Sequence, residues 1–425
     1  MAEIDCRTRV TDVVVYDDPR LPAQLQLDAP EIGSRWTGWS CAVTGSFRVR
    51  NPGRRIERIQ ICAVSTILDE IEPEPADGAD RVRFAALVST FGLARHTELF
   101  VHVRLDGGEL FTACRIDVEC DIPPPPPGAF APILINALPR SGTTCLTSLL
   151  AQHPEVVIHS RYPFEVRQAV YWTSLLRTLA SPYNNHRERR EMRFLVDRHV
   201  MGGSPYYTNF LDDLVPWFAT TYAEQLAGFV RGSIDAFQRN LQALGGLAKV
   251  GARYFVEKFP GRVPPLTMRW MFPRVRELYL VRRPADVFRS IFRFNERRGY
   301  ADFGEETLGR TEALFRHVAL ENRENLMFFE QRCRDGDGVI VRYEDLAADT
   351  PRALSRLLAA FGMDHSDRVI ASMIDGAAAM RVDGHVTSGP RSSAGDPGLS
   401  AREDEWIAKY FADLLKRFYP DDPRA

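Results

Sequence analysis

The chain has 425 residues, of which 45% are hydrophobic and 26% charged, and its formal net charge is -2. That length predicts two or more domains with sizeable cores, and the near-neutral balance gives no global field for nucleic acid or a membrane surface. Seven cysteines without a CxxC pair suggest neither a disulfide framework nor a zinc site, and with no bilayer-length apolar run and no signal-peptide order in MAEIDCRTRV a cytoplasmic location is expected.

The first 122 residues read as β structure. Runs such as CAVTGSFRVR, RIERIQICAV, RVRFAALVST and TELFVHVRL alternate apolar and polar positions, and NPG and LDGG turns separate them. Short strands at this spacing predict a sandwich-like all-β domain. Residues 123–130 follow as a linker. Its five prolines, Pro123 to Pro127, cannot donate backbone hydrogen bonds and favour a stiff extended spacer.

From residue 131 to 425 the pattern is α/β. PILINAL is a short apolar run of the kind that forms a buried parallel strand, and VRELYLV and GVIVRY are two more. The stretch from Tyr162 to Gly246 reads as a helical insertion rich in aromatics, with FVRGSIDAFQRNLQAL its most periodic piece. Aromatics such as Tyr171, Trp172 and Trp217 are candidates for an acceptor pocket or for plain helix core. The end, SAREDEWIAKYFADLLKRF, is amphipathic, with a serine cap and acids in its first turn.

PILINALPRSGTT puts a strand, a tight turn and a helix start in succession. Backbone N–H groups at such a turn converge on one point, where the helix dipole adds positive potential. Set against GxxxxGK[ST], Gly142 matches the second glycine, but Ala137 stands at the first and Thr143 at the lysine. The residue that would reach the outer phosphates of a nucleoside triphosphate is missing, which counts against a kinase or NTPase. Downstream, residues 251 to 300 hold 12 Arg or Lys against 4 Asp or Glu, enough to hold an anion. Within them Arg282 ends an apolar run, Pro284 starts a turn, and Ser290 follows eight residues after Arg282. An arginine fork with a serine hydroxyl is a good phosphate grip.

Pro139-Arg140-Ser141-Gly142-Thr143-Thr144 resembles the 5′-phosphosulfate loop of PAPS-dependent sulfotransferases, in the branch shared by bacterial and tyrosylprotein members. Arg282 with Ser290 is similar to that family's 3′-phosphate motif. The resemblance spans about Ala131 to Tyr419. It implies a three-layer P-loop domain with a parallel sheet, PAPS as co-substrate and PAP as product, no obligatory metal, and a small-molecule or glycan acceptor. It places Arg140, Ser141, Gly142, Thr143 and Thr144 on the phosphosulfate and Arg282 and Ser290 on the 3′-phosphate. Lys258, which comes just before Phe259-Pro260 and lies 24 residues before Arg282, matches a donor-contacting lysine that would stabilise the leaving group. An acid or histidine shortly after the first helix serves as base in the family, and Glu165 and His159 both fit. HVTSGPRSSAGDPGLS resembles a loop that folds over the nucleotide. Asp396 follows Gly395 where a basic residue is usual, so Arg391, with Ser392 or Ser393, is the candidate phosphate contact. VRYEDLAADTPRAL resembles the family's late strand-to-helix junction, read as structural. Besides an active transferase, a P-loop kinase or NTPase and an inert nucleotide-binding member whose β domain holds a glycan stay open.

Overall fold

The computed structural model describes residues 8–18, 21–36, 40–50, 53–63, 66–76, 80–90, 93, 95–106, 109–120, 128–159, 164, 166–179, 221–244, 249, 251–258, 264–333, 336, 338–379 and 398–424. The chain divides into two compact units. One holds residues 1–128, 168–234 and 262–273, and the other holds 129–167, 235–261 and 274–425.

In the first unit the described strands are β1 (Thr8–Val15), β2 (Ala23–Ala29), β3 (Arg35–Trp36), β4 (Ser40–Val49), β5 (Ile56–Ala63), β6 (Thr66–Ile71), β7 (Glu74–Pro75), β8 (Arg81–Ser89), β9 (His96–Leu105) and β10 (Leu110–Cys120). They form a six-stranded sheet, β3-β1-β10-β9-β5-β6, and a four-stranded sheet, β2-β4-β8-β7. Every pairing is antiparallel. The alternation read from the sequence is the alternation of burial. Along β9, Thr97, Leu99, Val101, Val103 and Leu105 are buried while the residues between them are less so, because successive side chains point to opposite faces.

The second unit is built on β11 (Ala131–Ala137), β12 (Val156–Val157), β13 (Tyr254–Lys258), β14 (Arg276–Val281) and β15 (Gly338–Arg342). All run parallel, in the order β12-β13-β11-β14-β15. Ile133, Ile135, Leu278 and Leu280 pack on one face against α1 (Thr143–Leu150) and against later helices through Leu354, Leu358 and Met373. Tyr279 and Val281 pack on the other face against Phe288, Phe292, Phe315 and Phe411. Coverage of both faces is why these strands read as continuous apolar runs. The expected parallel α/β architecture with an antiparallel β-rich N-terminal part is therefore the observed one.

The helical segment described after α1 comprises α2 (Gln168–Leu179), α3 (Ala223–Leu244) and α4 (Pro264–Met271). The helix α5 (Pro284–Arg298) follows β14, α6 (Glu305–Leu308) and α7 (Glu312–Arg332) precede β15, and α8 (Tyr343–Ala348), α9 (Thr350–Ala360) and α10 (Asp367–Ala379) come after it. The final amphipathic stretch is not one helix but two, α11 (Ala401–Tyr410) and α12 (Ala412–Phe418). The break falls at Phe411, which leaves helical geometry at φ -109° and is buried in the core. Its N-terminus is the expected one, since Ser400 and Glu403 form a reciprocal capping box. Among the described residues no helix is long and apolar enough to cross a membrane.

Candidate active site

The carboxyl ends of the parallel strands carry the candidate residues of this unit, where open α/β sheets bind their ligands. β11 runs into the turn Leu138–Gly142 and then α1. Gly142 is left-handed at φ 95° and ψ 17°. A Cβ there would fall 2.3 Å from ring carbons of Tyr343, so the position excludes a side chain on two counts. Arg140 is also left-handed, at φ 64°, a costly region for a non-glycine residue. The backbone is held there from outside, because Nη1 of Arg282 donates to the Arg140 carbonyl at 2.8 Å. No side chain caps α1, so the N–H groups of its first turn remain available to an anion. Ser141 and Thr143 are buried in the turn, and Thr144 is partly exposed.

The second turn meets the first. Arg282 follows β14, and Pro284 opens α5 at the position where a missing N–H costs nothing. Ser290, in the second turn of α5, accepts from Nε of Arg140 at 3.3 Å. The Arg140 guanidinium also stacks on Phe294, 4.2 Å from the ring centroid. Two motifs 142 residues apart are therefore in contact through both a backbone and a side-chain bond. Among the described residues, Nε of Arg282 is buried with no hydrogen-bond partner. A guanidinium donor left this way fits a site built for an anion.

Lys258 is the last residue of β13, beside β11 and in register with Ile135. His159 comes two residues after β12, the edge strand next to β13. Both are partly exposed. The other candidate base, Glu165, and the candidate phosphate contacts Arg391 and Ser392 lie outside the described residues.

Two arrangements lie in stretches to which the sequence reading gave no site role. The first is Tyr343, whose ring lies on Gly142 and carries the Arg282 guanidinium at 4.6 Å. Burial pushes its hydroxyl pKa up, with a smaller opposing pull from Arg282. Next to it Glu344 accepts from the backbone N–H of Arg283 at 2.9 Å and from the Tyr419 hydroxyl at 2.8 Å. The second is the end of α1. His153 Nδ1 accepts from the Glu155 N–H at 3.1 Å, and its Nε2 bonds the Asp364 carbonyl at 2.8 Å. Lys249 donates to the carbonyls of Ala151, His153 and Val156. The only signal for the first was the YED tripeptide after an apolar run, and for the second the HP dipeptide after the helix.

A family model described as "Sulfotransferase family" matches residues 132–367. Among solved structures, a sulfotransferase from Alicyclobacillus acidocaldarius is 15% identical, with a TM-score of 0.36 over 69% of this chain and 95% of that one. The sulfotransferase domain of the Synechococcus PCC 7002 olefin synthase is 18% identical, with a TM-score of 0.36 over 71% of this chain and 98% of that one. A mouse sulfotransferase complexed with PAP is 13% identical, with a TM-score of 0.32 over 69% of this chain and 82% of that one. No curated protein matches the chain.

Proposed function

This chain belongs to the sulfotransferase family and is an enzyme of sulfuryl transfer, and from that premise we propose that its donor is PAPS and its acceptor a hydroxyl or amine of a carbohydrate, peptide or natural product. The observation that carries the donor assignment is Arg282. One of its nitrogens ties down the Arg140 turn at 2.8 Å, while another is buried with no partner among the described residues. A single guanidinium thus joins two anion-binding turns and keeps a donor for a ligand.

In this reading the N–H groups and hydroxyls from Ser141 to Thr144, with Arg140, hold the 5′-phosphosulfate. Arg282 and Ser290, with Arg391 and Ser392, hold the 3′-phosphate that distinguishes this donor from other adenine nucleotides. Transfer is an in-line displacement. The acceptor oxygen bonds to sulfur as the bond from sulfur to the 5′-phosphate oxygen breaks, and the electron pair stays on that oxygen, giving PAP. Positioning and charge supply most of the acceleration for such a step. Lys258 meets the negative charge that develops on the leaving oxygen, and Glu165 or His159 takes the acceptor's proton. Residues 1–122 are an accessory β domain, 123–130 its linker and 131–425 the transferase domain.

Calorimetric titration with PAP, 5′-AMP and ATP with magnesium tests the donor assignment. PAP is expected to bind tightest, and Arg282→Ala to remove most of its advantage over 5′-AMP. Equal binding of PAP and 5′-AMP, or tightest binding of ATP with magnesium, would sink the reading in favour of a triphosphate site.

A further inference from the structure

The helix α5 enters the reaction above only through Ser290, and its second half has no part in it. Ser290 and Phe294 lie one turn apart on the face that meets the Arg140 turn. There Nε of Arg140 donates to Ser290 at 3.3 Å, and the guanidinium lies 4.2 Å from the Phe294 centroid. Further along, cations and rings alternate outward. Arg298 lies over the same Phe294 ring at 4.8 Å and over Tyr300 at 4.0 Å, and it donates to Asp302 at 3.3 Å. This series ends in the open, because Tyr300 is 50% exposed. Beside it, at the same four-residue step, stand Arg289, Arg293 and Arg297, a row of about 12 Å. Arg289 donates to Asp286 at 2.9 Å, and the helix dipole favours Arg297 in the last turn. Neither accounts for Arg293, which has a like charge four residues away on both sides, a spacing that opposes helix formation. Residues 284–298 hold four arginines against Asp286 and Glu296, and an anion along the row turns that surplus into a grip.

We propose that the acceptor is an acidic oligosaccharide: its carboxylates pair with Arg293 and Arg297, one of its sugar rings lies on Tyr300, and the hydroxyl that takes the sulfuryl group reaches the Arg140 turn. The inference rests on the reading that this turn holds the phosphosulfate, and it narrows the acceptor to one class. A carboxylate matches the planar guanidinium fork with two parallel hydrogen bonds. A half-exposed tyrosine offers a flat apolar face and a polar tip, which suits a ring with C–H groups on its face and hydroxyls around its rim. The distance argues for an oligomer. From Ser290 to Arg297 α5 rises about 10 Å, so a ligand that meets both the Arg140 turn and Arg297 is an extended one. An acidic peptide would satisfy the arginines equally but leaves the exposed ring unexplained.

The test is calorimetry on the full chain with four probes: an oligosaccharide of alternating uronic acid and hexosamine units, the same chain with its carboxyls reduced to alcohols, the reduced chain carrying sulfates, and a glutamate oligopeptide. The acidic sugar is expected to bind at least about tenfold more tightly than the reduced one. Arg293→Gln with Arg297→Gln removes most of that preference, weakening the acidic chain about tenfold and the reduced chain less than about twofold. Tyr300→Ala weakens both sugars alike. Should the double variant not fold, Arg297→Gln alone carries the comparison, since Arg297 is exposed at the helix end. Absent binding of the acidic sugar, equal binding of acidic and reduced chains, or equal losses of both in the arginine variant would each overturn the proposal. Tighter binding of the sulfated chain would overturn the choice of carboxylate, and tighter binding of the peptide the choice of sugar. PAP titration of the same variants separates this inference from the donor reading. PAP binding that is unchanged in a protein without preference for the acidic chain sinks this proposal alone. A preference for the acidic chain in a protein that does not bind PAP sinks the donor reading alone.

Discussion

Lys258 and Gly142 make opposite demands on a substitution. Lys258 is proposed to act on charge that exists only as the bond to sulfur breaks, so Lys258→Met is expected to slow turnover by about 10²–10³. The same change leaves the affinity for PAP within about threefold, because ground-state grip comes from the two turns. Release of PAP from PAPS with water as acceptor measures the first quantity, and calorimetry the second. A tenfold loss of affinity with turnover intact would make Lys258 a binding residue instead. Gly142→Ala needs no ligand to fail. It forces an L residue to φ 95° and drives a methyl to 2.3 Å from the Tyr343 ring. We expect a loss of about 1–3 kcal/mol in stability together with weaker PAP binding. Denaturant melts with and without PAP measure both. The glycine was legible because PRSGTT follows an apolar strand. Tyr343 was not, since its partner Gly142 lies some two hundred residues upstream and no local pattern links them.

Secondary-structure elements show a similar division. PILINAL reads as a buried strand and is one, yet it carries the polar Asn136 at a buried position. The structure gives it a purpose. Asn136 donates to Glu277 at 3.2 Å, and Arg332 from the end of α7 donates to the same carboxylate at 2.9 Å, with side chains 3% and 0% exposed for the ion pair. Partners 141 and 196 residues away cannot be found by any window of periodicity. Removing one charge strands the other in the core, so Arg332→Met is expected to cost about 3–5 kcal/mol. Urea melts report the loss, and a change under 1 kcal/mol would show that the pair is dispensable. The end of α1 makes a pH-dependent prediction. Burial lowers the His153 pKa below the usual value near 6.5, against smaller raising contributions from Glu155 and Asp364. Its Nδ1 accepts from a backbone N–H, which requires the neutral ring. As pH falls the unfolded chain takes up the proton first. The stability this histidine contributes is complete above the unfolded value and is lost as pH drops below it. The melting temperature therefore falls between pH 7 and 5.5, and His153→Asn, whose amide oxygen replaces Nδ1, flattens that slope. An unchanged slope in the variant would assign the acid sensitivity to other groups.

For the whole molecule, a net charge of -2 conceals a local excess of 12 basic over 4 acidic residues between 251 and 300. That count includes residues from opposite edges of the parallel sheet. Arg253 precedes β13 and pairs with Glu155 at 2.6 Å, and Arg276 opens β14 and donates to the Phe361 carbonyl at 3.4 Å. Both sit at the amino ends of their strands. Lys258 and Arg282 sit at or just beyond the carboxyl ends of the same two strands, roughly 17 Å away for five residues of strand. A linear window adds both edges together, because it cannot know that a strand crosses the sheet between them. At 0.1 M salt the screening length is about 10 Å, so only the carboxyl-edge cations act on a ligand there. PAP carries two phosphates, each with about -1.5 to -2 charges at pH 7, and its approach should be steered by that edge. We expect its dissociation constant to rise by about tenfold between 50 and 500 mM sodium chloride, through slower association, with the dissociation rate changed less than about twofold. Stopped-flow binding separates the two rates. A constant affinity across that range would mean that acidic neighbours cancel the edge field. A salt-sensitive dissociation rate would place the grip in exposed ion pairs, at odds with an Arg282 whose Nε is buried.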